Sequence, residues 1–178
     1  MIKKVLLPIC SIWLVCHNYA FADEAVGKII FDCYYANAAW GYQLSGVYID
    51  STGQIFKYNR NGNPWLPDSV KSGANVYPQS DLMEKYLNTE LVGKIGQKML
   101  DEKIQLIKSA ATGTISNKAT AFDAGERSCV AYIYNRNAKS YRAITLGSKG
   151  DVTTINSAPA AQELYAWLQD YWKLEKKK

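Results

Sequence analysis

The residues able to do chemistry in this chain are two widely spaced cysteines, a scatter of carboxylates, and many aromatic rings, among them 13 tyrosines and 5 tryptophans. Cys33 and Cys129 have no C-x-x-C spacing, so redox chemistry lacks a motif and one structural disulfide is expected. The single histidine, His17, lies within residues 1–22. The rest of the chain therefore cannot host a Ser-His or Cys-His catalytic pair, nor a histidine-ligated zinc. Carboxylate, lysine or tyrosine chemistry stays open, as does no chemistry at all. There is no glycine-rich phosphate loop, dinucleotide fingerprint or G-x-S-x-G elbow. No cofactor and no metal is expected.

Among the acids, Asp123-Ala124-Gly125-Glu126-Arg127 is the most suggestive run. Asp123 and Glu126 could act as an acid/base pair, or could hold calcium with backbone carbonyls, although the EF-hand ligand spacing is absent. The plainer reading is an Asp-initiated turn with an Arg–Glu surface pair. Lys103 falls inside an apolar helical arc. A lysine buried there would titrate low and serve as a base or nucleophile, whereas a packed stem more often lets the ammonium reach solvent.

The aromatic residues Tyr34, Tyr35, Trp40, Tyr42, Tyr48 and Tyr58 all fall in the first third of the chain, with Trp65 just beyond. Tyrosines on strands mostly fill a core. Trp40, Tyr42 and Trp65 sit in or beside turns and loops, where rings serve as anchors for a protein or a sugar. Residues 59–79 are rich in Asn, Gly and Pro, and a loop of that length is often functional. Trp65 stands between Pro64 and Pro67, which restrict the backbone. It is expected to be partly exposed or to cover a groove, and to belong to whatever site exists.

The elements that position these residues read as follows. Residues 27–36, 41–49 and 54–59 alternate as strands, and the turn Asp50-Ser51-Thr52-Gly53 makes them an antiparallel meander. Asp81-Leu82-Met83-Glu84 resembles a capping box opening a short helix to about Leu87. A longer helix is expected over 90–111, capped by Thr89 and closed by Gly113, with Leu91, Val92, Ile95, Met99, Leu100, Leu106, Ile107 and Ala110 on its apolar arc. Residues 114–127 read as polar loop. Strands are expected at 128–135, 141–146 and 151–155, with a turn at 147–150. Asn156 or Ser157 then caps a final helix that tolerates Pro159 in its first turn. The two halves match faintly as a βββα repeat in which Asn59 aligns with Asn156. The expected fold is α+β: a largely antiparallel sheet of two three-stranded meanders with about three packed helices.

Lys3 and Lys4, an eleven-residue apolar run at 5–15, and Ala20-Phe21-Ala22 have the order of a cleavable signal peptide over 1–22. The apolar run is shorter than the roughly 20 residues that span a bilayer. Residues 23–178 are then one globular domain, exported to the periplasm or beyond, and not membrane-spanning after processing. Losing Lys3 and Lys4 lowers the basic count from 21 to 19 against 16 acids, and the tail 176–178 supplies that excess. Such a balance leaves no footprint for nucleic acid. The expected function is a non-catalytic binding module, of inhibitor or immunity type, acting through an aromatic surface patch on a protein or glycan. The alternative is a histidine-independent hydrolase of glycans, using two of Asp32, Asp50, Asp123, Glu126 and Asp151.

Overall fold

The protein is described by a computed structural model, which covers residues 29–68, 73 and 75–175. The proposed signal segment 1–22 and the basic tail 176–178 lie outside the described residues.

Alternating apolar and polar residues build two meanders. The first is β1 (Ile29–Asn37), β2 (Gln43–Asp50) and β3 (Gln54–Asn59), and the second is β7 (Glu126–Asn135), β8 (Ser140–Gly150) and β9 (Val152–Asn156). They join through their first strands, because β1 pairs antiparallel with β7. Two further strands widen the sheet, giving the order β5-β3-β2-β1-β7-β8-β9-β6. Of these, β5 (Glu90–Lys94) lies along β3 and β6 (Ile115–Ala119) along β9. The short β4 (Val76–Pro78) pairs with the start of β8. Among the described residues there are three helices, α1 (Gln79–Lys85), α2 (Gln97–Ala110) and α3 (Pro159–Glu175). The architecture is thus α+β with a nine-stranded, antiparallel sheet.

Both faces of the sheet are covered. On one, Leu100, Ile107 and Ala110 of α2 and Leu164, Leu168 and Trp172 of α3 pack on Phe31, Cys33, Val47, Ile49, Cys129 and Leu146. On the other, Trp65, Leu82 and Tyr86 pack on Leu44, Tyr58, Val130, Tyr132 and Tyr141. A register shift between Ile29 and Phe31 sends Ile29 to this second cluster while Ile30 and Phe31 both join the helices. Strict alternation would have put Ile29 with Phe31; a bulge breaks that parity.

Several expected elements change. The helix expected over 90–111 begins only at Gln97, with Gly96 as its N-cap in extended conformation. Residues 90–94 instead form β5, because the free edge of β3 offers partners and Lys57 reaches Glu90 at 2.9 Å. The glycine Gly53 makes this junction possible. It turns at φ +79°, and a Cβ there would stand 2.6 Å from the Ile95 carbonyl oxygen. The Asp81 capping box does not form: α1 starts at Gln79 after Pro78, with no side-chain cap. Residues 115–119, expected as loop, are β6. The turn expected at 147–150 is strand, and β8 runs on to a tight reversal at Asp151. Asn156 does lead into α3, its Oδ1 accepting from the Ala158 N–H at 3.0 Å, while its Nδ2 donates to the Ala110 and Thr145 carbonyls. Asn59, its counterpart in the faint repeat, makes the same two-residue contact, accepting from the Asn61 N–H at 2.8 Å.

Candidate functional site

Cys33 faces the helices, directly opposite Cys129 in the β1–β7 register. The two are disulfide-bonded and buried, 1 % and 0 % exposed. Period two sends the preceding residue, Asp32, to the opposite face. There its carboxylate is fully buried. A buried charge costs several kcal/mol unless it is paired and hydrogen-bonded, and Asp32 is both. Lys85 Nζ lies 2.6 Å from Oδ2, the Tyr86 hydroxyl donates to the same oxygen at 2.8 Å, and the Tyr58 hydroxyl donates to Oδ1 at 3.0 Å.

The lysine is itself enclosed. Its ammonium stands 3.8 Å from the Tyr34 ring centre, 5.1 Å from Trp65, and 5.6 and 5.7 Å from Tyr86 and Tyr58. Rings at such distances favour the cation through their quadrupoles. Burial lowers the Lys85 pKa, and the neighbouring Asp32 charge only partly restores it. Burial, followed by the Asp32 charge, raises the hydroxyls of Tyr34, Tyr58, Tyr86 and Tyr132. These phenols therefore stay protonated, and those of Tyr58 and Tyr86 donate to the carboxylate.

The segment that delivers Lys85 is fastened along its length. Arg60, 5 % exposed, donates to the Asn63 and Glu84 carbonyls, and so caps the end of α1. The Trp65 N–H donates to the Tyr42 hydroxyl at 3.1 Å, and its indole N–H donates to the Asp81 carbonyl at 2.7 Å. Trp65 is 8 % exposed. The expectation of a partly exposed ring is corrected here: Trp65 closes over the Asp32–Lys85 pair, which needs an apolar cover.

The exposed rings lie elsewhere. Trp40 is 78 % exposed in the β1–β2 turn, and Phe122 is 90 % exposed in the β6–β7 loop. Hydrogen bonds tie these two loops together. Asn37 Nδ2 donates to the Asp123 carbonyl, and the Tyr35 hydroxyl donates to the Ala124 carbonyl at 3.0 Å. The Asp151 carboxylate accepts from the Ala124 and Gly125 N–H groups, fixing the second loop from the β8–β9 reversal. Tyr42 sits at the foot of the first loop, bonded to Trp65 rather than presented with Trp40.

The candidate acids are mostly engaged within the fold. Asp50 caps the hairpin turn through Thr52 and the Gln54 N–H. Glu126 accepts from the Ser128 hydroxyl at 2.7 Å, and Asp123 occupies a left-handed turn position at φ 62°. A recess of about 280 Å³ beside Lys57, Tyr58, Asn88 and Glu90 contains none of Asp32, Asp50, Asp123, Glu126 or Asp151. The same holds for one of about 180 Å³ between Gly147, Thr154, Gln162 and Tyr165. Lys103 is paired with Glu163 at 2.6 Å near the surface, its ammonium 5.8 Å from the Trp167 ring centre.

Sequence reasoning overlooked Lys85 and Phe122. A charged residue between Phe31 and Cys33 reads as the solvent face of an alternating strand, and nothing local selects Lys85 among the basic residues. Phe122 gave a fainter sign, a lone ring in a polar stretch. Comparison with protein-family models, with curated proteins and with solved structures finds no match for this chain.

Proposed function

We propose that this protein is an exported, non-catalytic binding module of inhibitor or immunity type, engaging a protein partner through the loop end that carries Trp40 and Phe122. The observation that carries this reading is the pairing of exposure with fixation. Two large rings, 78 % and 90 % exposed, stand on loops cross-tied by side-chain hydrogen bonds. Loops held in place lose little backbone entropy on binding, and buried aromatic anchors dominate many interfaces. Rings this open suit a protein surface better than a sugar, which is usually stacked inside a groove beside polar groups. Engagement of Asp32, Asp50, Glu126 and Asp151 within the fold favours binding over hydrolysis. Export is supported by the pattern of residues 1–22 and by the buried disulfide. Among the described residues, no helix is long and apolar enough to cross a membrane.

The test places a photo-crosslinking side chain at position 40 and, as control, at exposed position 108. Crosslinking from 40 alone should identify the partner. With that partner purified, Trp40→Ala and Phe122→Ala should each weaken binding about tenfold, roughly 1.4 kcal/mol, while circular dichroism is unchanged. Unaltered affinity in both variants defeats the proposal.

A further inference from the structure

The Asp32–Lys85 contact is a buried acid and amine held in direct hydrogen-bond contact by a shell of aromatic residues. We propose that the two side chains condense into an intramolecular isopeptide bond, joining Lys85 Nζ to Asp32 Cγ and releasing one water. The nucleophile and the carboxyl group are already in place. Nζ is 2.6 Å from Oδ2, and Cγ is one covalent bond further on. Groups so oriented react with effective molarities of about 10⁵–10⁸ M.

The surroundings supply what the step needs. In water, an amine and an acid resist condensation because both ionise. Here Asp32 is 0 % and Lys85 1 % exposed, so bulk water is kept from both groups, and the tyrosine hydroxyls and rings around them stand in for only part of that hydration. Burial also lowers the Lys85 pKa, which raises the share of neutral amine. Proton transfer within the pair gives the free amine and the carboxylic acid. The Nζ lone pair then attacks Cγ, and charge develops on Oδ1, where the Tyr58 hydroxyl already donates. Stabilisation at that atom is what an oxyanion-binding donor provides. Collapse breaks the Cγ–Oδ2 bond. Oδ2 keeps its acid proton and takes a second from Nζ, leaving as water. Nζ and Oδ2, 2.6 Å apart, pass that second proton directly, and the Tyr86 hydroxyl, bonded to Oδ2, holds the leaving oxygen in place. One N–C bond forms, one C–O bond breaks, and nothing is oxidised or reduced. No outside reagent is required.

The decisive measurement is peptide mass spectrometry on the full-length protein purified after expression, reduced, denatured and digested with trypsin. The expected result is a branched peptide joining the segments that contain Asp32 and Lys85, lighter than their sum by one water, with no cleavage after Lys85. Lys85→Arg should give only linear peptides. Asp32→Asn should give the same branched peptide as the unmodified sequence, since the amide expels ammonia instead of water. Tyr58→Phe should slow formation, lowering the branched fraction in freshly made protein. Linear peptides of unmodified mass with normal cleavage at Lys85, even after prolonged incubation of folded protein, overturn the proposal. So does a water loss confined to the Asp32 peptide without a branch, which would be cyclisation of Asp32 onto its own backbone. Both readings come from the natural sequence and stand even if a variant fails to fold.

Discussion

Tyr34, Tyr58, Tyr86 and Tyr132 surround one carboxylate, and burial plus that charge raises all four phenol pKa values. In the unfolded chain the same phenols ionise near pH 10. Between that pH and the higher folded values, the unfolded state gives up protons that the folded state keeps. Stability from these groups is therefore whole below about pH 10 and is lost as the pH rises above it. Where Asp32 and Lys85 are not yet joined, Lys85, lowered by burial, opposes the trend, but it is one group against four. Denaturant midpoints measured from pH 8 to 11.5 (roughly spanning the free-phenol range) should stay level and then fall steeply. Tyr132→Phe should make the fall shallower. A midpoint that rises above pH 10 would mean that these hydroxyls are not shielded.

At the scale of elements, the junction between the first hairpin and β5 rests on Gly53. Its positive φ and the nearness of the Ile95 carbonyl leave no room for a side chain. Gly53→Ala should cost about 1–3 kcal/mol through backbone strain, read as a lower urea midpoint with an unchanged slope. A neutral substitution would show that the turn relaxes freely. The elements differ in how plainly the sequence announces them. β1, β2, β3 and β7 were legible because period-two alternation and turn residues agree. β5 was not, because Leu91, Val92 and Ile95 also complete a helical arc through Leu100 and Ile107. Only the vacant edge of β3, a tertiary fact, decides between the two. Of the site, the Cys33–Cys129 bond was legible from composition, and the exposure of Trp40 from its turn. Trp65 was misread because its prolines show that its backbone is restrained, not which way its ring faces. The Asp32–Lys85 pair was out of reach, since its members are 53 residues apart with no motif between them.

For the whole molecule, the disulfide closes a span of 96 residues across the central strand pair. In the chain-entropy view, a loop of that length stabilises the fold by roughly 4–5 kcal/mol. The double variant Cys33→Ser, Cys129→Ser should lose stability on that scale in denaturant titration, well beyond what an exposed change such as Phe122→Ala costs. A loss of the same small size as Phe122→Ala would mean that the seam is held by strand pairing alone. Comparing Cys33→Ser, Cys129→Ser with Trp40→Ala also separates the roles assigned to the two regions. The first should lower stability and leave the loop end able to bind once folded. The second should do the reverse.

The order of strands in the sheet carries one more consequence. Read across the sheet, β5, β3, β2 and β1 all come from residues 29–94, and β7, β8, β9 and β6 all come from residues 115–156. Apart from β4, which reaches across to β8, neither stretch threads between strands of the other. Each wing can therefore assemble from neighbours close along the chain, paying little loop-closure entropy, before the two meet. During synthesis the first wing is complete before the second has been made. This topology predicts that the docking of β7 against β1 comes late, and it is this pairing that brings the two sulfurs together. On that order, oxidation would act as a latch, closing once both wings have formed and met in register.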